Sequence, residues 1–182
     1  MSDEGPLALP PGAVRALCRA LPRAPQLDAA MQVIEGVRQQ LLGDGLLTVN
    51  QVRWPEDGAQ AEIIDLQRIW SSRPAQYPVA GRKRKQLTPW TRQLLLSSEI
   101  FLGEGSDALT QVFNDSPLIL SMGLRSVMNV PLVRADGQCF ATFNVLGTQE
   151  RWSALAQQQI ELLAALARPF VAAHVERVEL AA

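Results

Sequence analysis

Apolar side chains recur along this chain with two periods, and the switches between them mark out the elements. Leu27, Met31, Ile34, Val37 and Leu41 follow at steps of four, three, three and four, which is one face of an α-helix, and the GDG run at 43–45 stops it. A shorter helix is expected over residues 12–21, ended by Pro22, and the acidic, Pro-broken start at 1–11 is expected to be loosely packed. Residues 46–54 suit a strand, and Pro55 with the EDG that follows suits a turn. In residues 61–72 Ile64, Leu66 and Trp70 alternate with Asp65 and Gln67, so a second strand should close a hairpin with the first. Residues 73–90 carry four interruptions by Pro or Gly and no period. A connection of that length inside a compact domain is usually functional or mobile.

Helical patterning returns over 89–98, with Trp90, Leu94 and Leu95 on one side. Residues 99–105 read as extended, and 107–115 and 117–123 as short helices. Residues 126–147 read as two strands joined by a turn. The chain closes on a long helix with Ser153 as N-cap. Ile160, Leu163, Ala167, Phe170 and His174 form its apolar stripe, widened by Leu155, Leu162 and Leu166, and Pro169 should kink or split it. Two terminal helices can cover one face of an antiparallel sheet while the irregular insert covers the other.

The 182 residues suffice for one domain with a sizeable core, and 47% are apolar. The 17 Lys and Arg nearly balance the 18 Asp and Glu, which argues against nucleic acid or an anionic membrane as the main partner. The one basic run, GRKRK at 81–85, could hold an anion or a nucleic-acid phosphate, but a solvated loop is the expectation. Cys18 and Cys139 make neither a metal spacing nor a redox pair along the chain. The N-terminus is unlike a signal peptide, and no apolar run approaches the ~18 residues of a membrane span. A cytoplasmic protein with reduced thiols is the simplest expectation.

The stretch MGLRSVMNVPLVRADGQCFATFNVLG, through Gly123, Ser126, Pro131, Gly137 and Ala141, resembles the C-terminal half of a GAF domain. RIWSSRPAQYPVAGRK and TPW resemble a branch of small bacterial stand-alone GAF proteins. The resemblance implies an α/β (α+β) fold with a central antiparallel sheet of about five or six strands. It places one domain at 26–178 behind an N-terminal extension, 1–25, with terminal helices on one face and a ligand pocket beneath the insert on the other. The family binds cyclic nucleotides, bilins, haem, amino acids and other small molecules, and includes members with no known ligand. The chain departs from its sharper activities. It lacks the cysteine cluster of the methionine sulfoxide reductases, the Cys–His pair of the bilin binders, and the Asn-Lys pattern of the cyclic-nucleotide binders.

The candidate site residues follow. Asn129 and Asn144 stand among apolar neighbours in strands, where a buried amide needs partners. A two-residue turn at Asp136 and Gly137 would make them a cross-strand pair. A three-residue turn with a Gly137 bulge would set Asn144 opposite Met128 instead. They meet either a polar ligand or each other and nearby backbone. Arg125 and Ser126 open the first of these strands and could reach an anion, and Thr142 on the second is placed with them. Tyr77, Trp90 and Phe101, in or beside the insert, could wall a pocket, whereas Trp70 reads as core.

The expected function is non-catalytic sensing of a small polar or anionic metabolite, with no cofactor or metal. A homodimer through the terminal helices and a protein signalling partner are expected. One alternative is an interaction module whose pocket Met128, Phe143 and Trp90 fill. The other is a cysteine-dependent reductase, which needs Cys18 within disulfide reach of Cys139.

Overall fold

The computed structural model describes residues 9–55 and 62–181. Most of the loosely packed start and the EDG turn after Pro55 lie outside the described residues. Helices α1 (Pro11–Ala20) and α2 (Leu27–Leu42) lead into strands β1 (Gly45–Arg53), β2 (Ile63–Ser71) and β3 (Arg82–Gln86). The insert continues with a single helical turn, α3 (Pro89–Thr91), which runs directly into a π-helical turn over Arg92–Leu96. Then follow β4 (Phe101–Glu104), α4 (Gly105–Val112), α5 (Ser116–Ser121), β5 (Ser126–Val133), β6 (Cys139–Gly147) and α6 (Ala154–Leu180). The strands form one six-stranded antiparallel sheet in the order β3-β2-β1-β6-β5-β4.

Both faces of this sheet are covered. Leu47, Val49, Met128, Phe143 and Val145 pack on Met31, Ile34 and Val37 of α2 and on Ile160, Leu163 and Ala167 of α6. On the other face Leu46, Val127 and Leu146 meet Leu109, Ile119 and Leu124, and Val52, Ile64 and Leu66 meet Trp90, Leu94 and Leu95. Each such side chain contributes about 1.5–3 kcal/mol when fully buried. β6 lies centrally and is buried at all nine positions, so it has no solvent face.

Two bulges set which side chains face which layer. The β5–β6 loop has three residues: the Arg134 amide donates to the Gln138 carbonyl (2.9 Å), and Gly137 takes φ +88°. Alone, that loop would slip the register by one. However, Leu132 faces Ala141 while Val133 faces Cys139, so Phe140 is an extra residue that restores it. Asn129 therefore faces Asn144. Phe140 is turned with Ala141 into the helix-side core. In β2, Ile69 is extra between Arg68 and Trp70. Trp70 thereby turns to the helices, where its Nε1 donates to Asp28 on α2 (2.9 Å), while Arg68 remains on the insert side.

Two expectations are corrected. Residues 82–86 form the edge strand β3 rather than a solvated loop. All five side chains are polar, so no alternation of apolar residues betrays the strand, and a charged edge resists pairing with another chain. Of the kink or split expected at Pro169, the split does not occur: the closing helix runs over 27 residues as one element. Pro169 and Ala165, whose carbonyl loses its donor, both lie on the exposed side, where water can replace the bond. Ser153 caps this helix as expected, its Oγ accepting from the Ala156 amide (3.1 Å).

Helix α2 carries a buried ion pair. Arg38 is fully buried and makes a bidentate contact with Glu35, Nε to Oε2 at 2.6 Å and Nη2 to Oε1 at 2.9 Å. Its Nη1 donates to the Gly43 carbonyl (3.2 Å), closing the end of the helix. A Cβ at Gly45 would lie 2.4 Å from the Leu146 carbonyl oxygen and 3.0 Å from Arg38 Nη1, so only glycine lets β1 start here. Removing one partner of a buried pair strands the other charge. Arg38→Ala is expected to lose about 3–5 kcal/mol of unfolding free energy in urea melts. Arg134→Ala, which breaks an exposed pair with Glu179, should lose under about 1 kcal/mol.

Candidate functional site

The paired asparagines stand at the middle of the insert-side face. Asn129 Nδ2 donates to Asn144 Oδ1 (2.7 Å), and Asn129 Oδ1 accepts from Trp90 Nε1 (3.1 Å). Asn144 Nδ2 reaches Thr48 Oγ1 (3.3 Å) and the carbonyls of Thr142 (3.3 Å) and Thr48 (3.4 Å). Both amides are thus partnered within the protein. Together they tie the insert, through Trp90, to three strands.

Beside them lies a cavity of about 40 Å³, lined by Thr48, Asn50, Arg68, Lys83, Asn129 and Asn144, with Leu66, Phe113 and Leu146 among its apolar walls. That volume admits water but not a metabolite. Trp90 and Lys85 also line it, and both face as well onto an outer groove of about 570 Å³ that includes Thr88, Gln93, Phe101 and Asn114. Trp90 packs edge-on against Phe101 and Phe113, with Lys85 Nζ 5.1 Å from its ring centre. One indole and one ammonium therefore separate an inner polar cavity from an outer groove.

The charge here is one-sided. Arg68, Lys83 and Lys85 converge with a single carboxylate, Asp115. Lys83 Nζ binds Asp115 Oδ2 at 2.5 Å, and the Tyr77 hydroxyl donates to the same oxygen. Arg68 stacks on the Tyr77 ring (3.6 Å) and donates to the Pro78 carbonyl (2.8 Å), but its buried Nε has no partner. Neither Arg68 nor Lys85 has an ion-pair partner among the described residues. Burial lowers the pKa of Arg68 against the opposing pull of Tyr77 and Asp115. Burial, then the like charge of Lys83, lowers that of Lys85. Burial and Asp115 hold the Tyr77 phenol protonated, well above its ordinary range. Burial alone would raise Asp115, but hydrogen bonds from Lys83 and Tyr77 outweigh it and keep the carboxylate ionised.

Of the residues singled out from sequence, Asn129, Asn144, Tyr77 and Trp90 come together at the inner cavity, and Phe101 lines the outer groove. Thr142 shares the face of Asn144 and supplies it a carbonyl, away from the cavity lining. Arg125 donates to the carbonyls of Leu120 and Leu124 and ties down the end of α5. Ser126 lies on the strand face opposite Asn129, toward the helices, with its buried Oγ unpartnered. Met128 and Phe143 also face the helices, so of the three residues expected to fill a closed pocket only Trp90 caps the cavity.

Sequence reasoning missed Arg68, Asn50 and Asp115, and it set Lys83 and Lys85 in a basic run expected to be solvated rather than among the candidate site residues. Arg68 was legible, since it follows Ile64 and Leu66 at steps of two and so shares their buried face. The lysines were hidden by the aperiodic edge strand.

The two cysteines lie in opposite layers. Cys18 is exposed on α1, and Cys139 is buried in the insert-side core, its thiol pushed up to about 12 by burial. A thiol so protonated is a poor nucleophile.

The GAF domain family model matches residues 15–173, and the chain belongs to that family, whose members are generally non-catalytic sensory or regulatory domains that often bind small molecules. No curated protein matches the chain significantly. Among solved structures it is similar to the GAF domain of an Acinetobacter phosphoenolpyruvate-protein phosphotransferase (TM-score 0.61, 14% identity, 94% of this chain and 99% of that one). It is also similar to the GAF domain of a Bacillus halodurans two-component sensor histidine kinase (TM-score 0.56, 15% identity, 85% and 97%). The chromophore-binding domain of an R. palustris bacteriophytochrome is a third (TM-score 0.59, 16% identity), with 92% of this chain covering 62% of that one. At these identities the likeness shows the fold alone.

Two outcomes follow. Asn144→Ala should cost about 1–3 kcal/mol, because it strands the Asn129 amide, and should shift the emission of Trp90 as its partner loosens, both readable in one fluorescence-detected melt. An aromatic disulfide reagent should titrate one thiol in the native protein, Cys18, and two in denaturant.

Proposed function

We propose that this GAF domain is a non-catalytic sensor of a small anionic molecule, held between the insert and the central sheet. The reading is carried by one observation: three cations, two of them without ion-pair partners among the described residues, face one carboxylate beside a paired-amide floor. A buried guanidinium with a free Nε is costly unless an acceptor is sometimes present. The inner cavity is too small as it stands, so binding requires Trp90 and Lys85 to part and join it to the groove, a shift between two populations of the insert. The likeness to a sensor kinase GAF domain is consistent with a regulatory role. No helix among the described residues is long and apolar enough to cross a membrane, which fits the cytoplasmic setting proposed here. Val14 on α1 and Leu155 on α6 are exposed apolar side chains, which supports a homodimer through the terminal helices, with a signalling protein as partner.

A second reading, an interaction module without a ligand, draws on the small volume of the cavity. One experiment separates the two. A native mass spectrum, before and after denaturation, should release a small acid from protein purified from cells. A panel of carboxylates and phosphates should contain a compound that raises Tm by roughly 5–10 °C at a hundred times its Kd. Lys85→Gln should abolish that rise while leaving the unliganded Tm nearly unchanged. An empty protein that no anion stabilises would leave the interaction module standing.

A further inference from the structure

Asp115 occupies the N-cap position of α5, yet its side chain accepts no hydrogen bond from that helix. It reaches across the site instead, giving one oxygen to both Lys83 Nζ and the Tyr77 hydroxyl. Its other oxygen, Oδ1, is buried and has no partner. A carboxylate that leaves its own helix uncapped and half its own acceptors unused is held by the cations opposite. Those cations are Arg68 from β2 and Lys83 and Lys85 from β3, whereas β1, β5 and β6 contribute only uncharged side chains: Thr48, Asn50, Asn129, Asn144 and Leu146.

We infer that Asp115 stands in the anion position of the site, and that the site selects a carboxylic acid with an apolar body, whose carboxylate takes Lys83 and the Tyr77 hydroxyl from Asp115. This rests on the anion-binding reading above. The head group would replace a carboxylate with a carboxylate, so the geometry of the donors is already set. Arg68, over the Tyr77 ring with a free Nε, supplies the donor that Asp115 does not use. Of the two openings at this end of the site, the smaller, bounded by Lys83, Arg84, Lys85, Asn114 and Asp115, is polar throughout, so an apolar body takes the wider one, past Lys85 and into the groove where Trp90 and Phe101 present apolar faces. Asp115, once released, can cap α5, which is what aspartate does at this position in other helices. Asp115 therefore sets the threshold of the site: only an acid whose body gains enough contact in the groove displaces it.

The test is calorimetric titration of the full chain with benzoate and, separately, with inorganic phosphate. Wild type is compared with Asp115→Asn and with Asp115→Ser; both replacements can still cap α5, and the serine variant guards against poor folding of the first. Removing the internal competitor should tighten benzoate binding at least tenfold in either variant, with little gain for phosphate. Benzoate binding that is unchanged or weaker in both variants overturns the inference and leaves the anion-binding reading intact. A gain for phosphate alone overturns the choice of a carboxylic acid. Absence of binding by any of the three proteins overturns the inference. If the wider anion panel is silent as well, the reading beneath it falls too.

Discussion

Strand β6 has no face to water, and much of this molecule follows from that. A strand buried at every position can carry a polar side chain only if the protein supplies its partners. Asn144 is met by Asn129 from β5 and by Thr48 from β1, and Asn129 in turn takes the indole of Trp90 from the insert. This chain of bonds needs Asn129 and Asn144 directly opposite. The three-residue loop at Gly137 would prevent it, and the extra residue Phe140 restores it. Cross-strand register, the seating of the insert and the floor of the cavity are therefore one constraint.

The cations are the second feature that the fold arranges at some cost. Arg68 is buried in a position that its neighbours Ile64 and Leu66 mark as core. It is made tolerable by a carbonyl, a stacked phenol and the distant charge of Asp115, which together satisfy only part of its donor fork. The contrast with Arg38 is instructive. That guanidinium, also buried, has both carboxylate oxygens of Glu35 and a helix-end carbonyl, and it belongs to structure alone. Two buried arginines in one small domain thus show what full and partial satisfaction look like.

Periodicity in the sequence was enough to place the helices, the central strands and the layer order, because those elements bury one face or two and their apolar residues recur accordingly. The resemblance to GAF domains rested mainly on the β5–β6 hairpin, whose small residues suit a strand buried on both faces and whose turn glycine takes a positive φ. What stayed hidden has physical reasons. β3 carries five polar residues and so leaves no apolar signal. The bulges at Ile69 and Phe140 are single-residue events that alternation cannot register. Arg125 and Ser126 were attractive as an anion pair at a strand mouth, but Arg125 is taken up by carbonyls and Ser126 points to the other layer, facts of tertiary placement that no local pattern encodes. Asp115 read as the last residue of a short helix over 107–115, whereas it precedes α5, and only the cations gathered across the space from it give it another part.

The two layers over the sheet differ in how they are held. On one side α1, α2 and α6 share a continuous apolar core with the strands. On the other, two smaller clusters are joined by a few polar ties: Trp90 to Asn129, and Lys83 with Tyr77 to Asp115. Polar ties can be exchanged for bonds to water or to a ligand at little net cost, whereas an apolar core cannot be opened without exposing its area. The insert side, with the unflanked edge of β3, is therefore the layer that yields first. β2 connects it to the other layer. Within three residues that strand carries Arg68 into the site and Trp70 onto Asp28 of α2, across the bulge at Ile69. A rotation of β2 that re-seats Arg68 must also move Trp70 against α2, so the bulge at Ile69 links the cavity mechanically to the terminal helices.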